Sequence, residues 1–270
     1  GPSAESAGLA FANSMGIAEN SKQTTTLAKL RGLSAEQVVS GLNLANMRIP
    51  SYSGPMIDGK LIIENDEKGF ASGHQMRIPY LVGSTDFEWG FLKDFSPEGA
   101  TTTANTMLKA AGDKQDALLG AYQPFIPSKG ATLDLAYLGA MMYGDRAFVE
   151  PARFLYRQMK AVSDSTWRYR FSYIPSSLRG KVSGAYHASE IPFAFDTVQA
   201  RYGDATSRED KRIARIMHSQ WVNFAKQGEV SAFQAAKKGK DNLLIEFNSA
   251  GATVKEDPMK VRLDAIENLY

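Results

Sequence analysis

Cysteine is absent from the 270 residues. That excludes disulfides, a thiolate nucleophile and thiolate metal ligands, and leaves the redox compartment open. Excess charge of either sign is absent as well, since 31 Lys and Arg against 29 Asp and Glu leave a formal +2. Such a balance gives no field that would draw in nucleic acid or an anionic membrane. No uninterrupted apolar run approaches the roughly 18 residues of a membrane span. Histidine is scarce, so the imidazole candidates are only His74, His187 and His218. Nor does any Gly-x-Ser-x-Gly occur, the pattern that seats a nucleophilic serine on a sharp strand-to-helix turn.

The nearest approach to that pattern is Ala4-Glu5-Ser6-Ala7-Gly8. The turn needs a buried strand before it, and Gly1-Pro2-Ser3 leaves no room for one. Ala7, Leu9, Ala10, Phe11, Ala12, Met15 and Ile17 instead follow the spacing of one amphipathic helix, with Ser3 as N-cap and Ser6 in the first turn. Ser6 is therefore expected to be a decoy.

What is present is a large apolar fraction, 43%, and strand and helix signals that alternate without repeats. Helices are expected over 3–18, 23–31 and 34–43, and a hairpin at Asp58-Gly59. The run "IPYLVG", 78–83, reads as a buried strand, and "TWRYRFSYI", 166–174, as another. Residues 97–162 read as mainly helical, with breaks at Pro124, Pro127, Gly130 and Pro151. A helix over 208–226 carries Ile213, Ile216, Met217, Trp221 and Phe224 on one face, and 243–254 reads as a hairpin around Ala250-Gly251. Strands separated by helical insertions point to an α/β sheet.

Such sheets place chemistry at strand ends, where two polar points stand. In "GSTDFEWGF", Glu88 follows the strand and is crowded by Phe87, Trp89 and Phe91; it is either an ordinary loop acid or a carboxylate held by a partner. In "GAYHASEIPFAF", His187 sits in a loop before an apolar segment, and a lone histidine is more often structural than catalytic. His74 lies beside Gly73 in an expected loop, and His218 on the polar edge of the helix bearing Trp221.

"PMIDG", "IPYLVGSTDFEWGF", "FVEPARFLYRQMKA", "TWRYRFSY", "GAYHASEIPFAF" and "WVNFAKQG" in that order and spacing resemble blocks of the C-terminal half of the type-B carboxylesterase and cholinesterase family. Each block is weak alone, and the resemblance covers almost the whole chain. It implies that residues 1–270 are the C-terminal portion of a single α/β-hydrolase domain, with a mostly parallel central sheet, helical insertions and a C-terminal hairpin and helix. It further implies that Glu88, in the place of the Gly-x-Asn-x-x-Glu-Gly acid, and His187, in the place of the His-Gly-x-Glu-Ile base, are the acid and base of a Ser-His-Glu triad. Three positions depart from those patterns: Thr85 for Asn, Trp89 for Gly and Ala188 for Gly. Asp86 is accordingly an alternative acid.

The resemblance also implies that the nucleophile elbow and the oxyanion loop belong to a preceding half, so that this chain alone is expected to be inactive. The partners it implies are a small-molecule ester, the N-terminal half of the same fold and a further copy of the chain; no metal or organic cofactor is needed for acyl transfer of this kind. The other reading is a non-catalytic relative that uses the fold to bind protein.

Overall fold

The structure is a computed structural model, and it describes residues 3–17, 23–39, 54–127, 133–231 and 243–269. The chain divides into two compact units, Gly1–Gly69 and Phe70–Tyr270.

The first unit holds α1 (Ala4–Ser14), α2 (Gln23–Arg31) and α3 (Ala35–Val39). Ser3 caps α1 by accepting the Ser6 amide at 3.2 Å, and Ser34 caps α3 by accepting the Gln37 amide at 3.2 Å. Residues 40–43, the remainder of the third expected helix, lie outside the described residues. The hairpin expected at Asp58-Gly59 does not form. Asp58 Oδ1 instead accepts the amides of Lys60, Leu61 and Ile62, each at 2.9 Å, so its carboxylate, rather than a partner strand, satisfies the turn. Helix α4 spans Asp66–Ala71.

The second unit is built on a four-stranded sheet of order β1-β2-β3-β4, with β1 (Tyr80–Thr85), β2 (Thr166–Phe171), β3 (Leu243–Asn248) and β4 (Gly251–Glu256). The first three strands are parallel, and β4 returns antiparallel through the expected hairpin. β1 begins two residues later than the apolar run because Pro79 has no amide to give; the ladder opens with Tyr80 N–H donating to Ser165 O at 2.8 Å.

Between β1 and β2 run α5 (Gly90–Phe95), α6 (Pro97–Ala111), α7 (Gln115–Tyr122), α8 (Leu135–Gly144) and α9 (Glu150–Val162). Gly130 lies outside the described residues, and Pro124 sits in a single 3-10 turn, Gln123–Phe125. Pro151 does not break the helix as expected. A π-helical segment, Asp145–Val149, joins α8 to α9, and Pro151 falls in the first turn beyond it. Widening the turn relieves the clash between a proline ring and the carbonyl four residues earlier.

After β2 come α10 (Ile191–Ala194), α11 (Val198–Tyr202) and α12 (Arg208–Gln227); α13 (Lys260–Glu267) follows β4. α12 opens on a reciprocal capping box between Ser207 and Asp210 and closes on Gly228, which supplies the left-handed φ of +65° that the C-cap needs. Its apolar stripe buries Ile213, Ala214 and Met217 against Phe171, Phe193, Ile245 and Phe247. A second cluster, including Leu108, Leu118, Tyr122, Leu138 and Met142, packs the helical excursion around Phe87.

Candidate active site

The parallel strands β1 and β2 deliver two connections to the same end of the sheet. The turn 86–89 follows β1, and the loop 184–187 follows β2. Backbone hydrogen bonds join them, with Phe87 N–H donating to Ala185 O and His187 N–H donating to Glu88 O, both at 3.1 Å. Gly184 allows this approach, since a Cβ there would lie 2.7 Å from Phe87 Cβ.

The joined turns bring Glu88 and His187 together. Glu88 is buried, its Oε1 accepts the Thr85 amide at 2.6 Å, and its Oε2 lies 2.7 Å from His187 Nδ1. A carboxylate beside Nδ1 selects the tautomer in which Nδ1–H donates, leaving the Nε2 lone pair as a proton acceptor. The imidazole side chain is 50% exposed, while the carboxylate that anchors it is 5% exposed. Thr85 serves through its main chain, which is why its departure from Asn leaves the contact to Glu88 standing.

Trp89, the second departure, heads an aromatic cluster. Its ring lies 4.6 Å from Phe91, 4.9 Å from Tyr143 and 5.5 Å from Phe148, and Phe148 lies 4.7 Å from the His187 ring. Phe148 was not legible as a site residue. It reaches the imidazole from the π segment, whose one trace in the sequence is Pro151 inside a helical pattern. That segment is anchored by Asp145, which accepts from Tyr122 Oη at 2.8 Å and pairs with Arg262 at 2.9 Å; burial pushes the Asp145 carboxyl above its usual range against the pull of Arg262.

Asp86, the alternative acid, is directed elsewhere. Its Oδ1 accepts the Ala185 amide at 2.9 Å and its Oδ2 lies 3.4 Å from Arg170. Burial raises its carboxyl, and Arg170 and the amide oppose that rise. His218 Nδ1 lies 2.8 Å from Ala194 O, a structural tie between α12 and α10. His74 is exposed in the loop after α4. Ser6 is helical, with its hydroxyl donating to Ser3 O at 2.9 Å. Among the described residues, no three His, Asp or Glu side chains cluster to hold a metal, and no helix is long and apolar enough to cross a membrane.

Two solved structures share this architecture: Aspergillus niger EstA, with a TM-score of 0.66 at 15% identity, and a PNB esterase, with 0.64 at 23%. Each match covers 97% of this chain and 54% of the other. The fold is that of an α/β-hydrolase. A model of the carboxylesterase family matches residues 2–256, and the chain belongs to that family. It is 30% identical over 240 residues to the para-nitrobenzyl esterase of Bacillus subtilis and 28% identical over 187 residues to the fumonisin B1 esterase of Sphingopyxis macrogoltabida. These alignments cover 84% and 66% of this chain but 45% and 33% of those relatives, so the chain spans less than half the length of either.

Proposed function

We propose that this chain carries the base and the acid of a Ser-His-Glu triad that hydrolyses carboxylic esters through an acyl-enzyme. The observation that carries it is the 2.7 Å bond from His187 Nδ1 to the buried Glu88 carboxylate. His187 Nε2 takes the proton from a serine hydroxyl as that oxygen attacks the ester carbonyl, then returns it to the leaving alcohol; water repeats the cycle to release the acid. Glu88 holds the imidazole in the productive tautomer and stabilises the imidazolium. The serine and the oxyanion donors come from a preceding half of the fold, which is also the principal partner of this chain. The ester lies beside His187, where Trp89, Phe91, Tyr143 and Phe148 offer apolar surface to a small substrate.

A p-nitrophenyl ester tests the assignment. The chain by itself gives neither burst nor turnover. Joined to a segment that supplies the serine, it turns the ester over, and His187→Ala removes nearly all of that activity. Glu88→Gln costs on the order of ten-thousand-fold, the loss known for an acid-to-amide change in a serine protease triad, while Ser6→Ala leaves kcat/KM unchanged. Survival of turnover in His187→Ala would overturn the assignment. A folded, joined protein with no esterase activity would favour a protein-binding relative.

A further inference from the structure

The turn bearing Glu88 and the loop bearing His187 are held together by three main-chain-directed hydrogen bonds. Two run between backbone groups, Phe87 N–H to Ala185 O and His187 N–H to Glu88 O. The third is made by a side chain: Asp86 Oδ1 accepts the Ala185 amide at 2.9 Å. Asp86 is thus the one side chain in this set; it stands two residues before Glu88, and the amide it holds stands two residues before His187.

Asp86 is itself held. Arg170 of β2 lies 3.4 Å from its second oxygen and also donates to Glu246 of β3. Glu246 accepts from Ser172 Oγ at 2.8 Å and from Lys255 Nζ of β4 at 2.7 Å. Charges of alternating sign therefore run across the sheet, Asp86, Arg170, Glu246 and Lys255, from the edge hairpin to the site. The β2–β3 register sets Arg170 directly opposite Glu246. A carboxylate held at both oxygens cannot swing to reach His187 and cannot release the Ala185 amide without breaking an ion pair.

We propose that Asp86 is a positioning residue for His187: anchored by the Arg170–Glu246–Lys255 row, its carboxylate fixes Ala185 and so holds the loop from which the imidazole meets Glu88. This rests on the triad reading above and adds to it a residue that touches neither substrate nor serine.

The test needs no nucleophile, because the chain has only three histidines and their imidazole signals are separable by 15N NMR. In the unaltered chain, His187 shows a protected Nδ1–H resonance, identified by its loss in His187→Ala. In Asp86→Ala, exchange of that proton and of the Ala185 amide accelerates about tenfold, the factor expected for one lost hydrogen bond to a charged acceptor. Asp86→Asn, whose amide oxygen still accepts from Ala185, restores most of the protection. Arg170→Gln, which frees the carboxylate but leaves it in place, gives an intermediate acceleration and serves if Asp86→Ala does not fold. Unchanged protection in a folded Asp86→Ala or Arg170→Gln chain overturns the proposal while leaving the triad intact. Lack of a protected Nδ1–H in the unaltered chain counts instead against the Glu88–His187 pair itself.

Discussion

At the scale of the residue, Ala188 shows why the family pattern prefers glycine after its histidine. Its φ of +65° lies in the left-handed region, where an L side chain crowds the following carbonyl. The turn that follows His187 enforces this geometry, with Ser189 N–H donating to Tyr186 O at 3.0 Å and Ile191 N–H to Ala188 O at 3.3 Å. Ala188→Gly is expected to raise stability by about 1 kcal/mol, the relieved strain less the extra freedom of glycine in the unfolded chain. Urea unfolding of the two proteins measures this directly. A lower midpoint for the glycine variant would mean that the strain is not there. Trp89 makes the opposite point, since its departure from glycine is absorbed by the aromatic cluster it heads.

At the scale of the element, helix packing sets the excursion between β1 and β2. Gly139 in α8 meets α6 so closely that a Cβ there would lie 1.9 Å from Ala100 O. Ala100 and Ala104 on α6 are fully buried at the same crossing. Gly139→Ala must therefore force the helices apart, and a loss of about 3 kcal/mol is expected, read as a drop in the thermal midpoint. A neutral effect would show that α6 can slide without cost. The crossing matters for the site because α8 runs straight into the π segment that presents Phe148 to His187. A disturbance at Gly139 is thus expected to reach the imidazole through a continuous helix.

For the whole molecule, the sheet of the second unit ends at β1, which pairs with β2 on one side only among the described residues. Its sequence, Tyr80-Leu81-Val82-Gly83-Ser84-Thr85, carries no charge and no proline to guard the open edge. Such an edge invites another strand, from a preceding half of the fold or from a second copy. Light scattering on the chain alone is expected to give a mass above 29.5 kDa that rises with concentration. A monodisperse particle of 29.5 kDa at all concentrations would show that the edge is protected.

The sequence by itself determined the elements with strong local signals. Ser3 marked a helix start, apolar spacing marked α12, and short apolar runs marked β1 and β2, because caps and periodicity act within a few residues. It also singled out Glu88 and His187, as polar residues at strand ends and through the blocks around them. Where local chemistry offered two solutions the sequence was insufficient: Asp58-Gly59 became a side-chain-capped turn, because pairing strands need a distant partner while a carboxylate finds its amides at once. Pro151 likewise entered a helix because the π segment made room for it. Only the tertiary structure decided that Glu88, rather than Asp86, meets the imidazole. The two carboxyls are two residues apart in one turn, and what separates them is Arg170 on the neighbouring strand and the Ala185 amide on a loop ninety-nine residues beyond Asp86. Contacts of that sequence separation are set by strand register and by which turns share a sheet end, and neither is written in any local pattern.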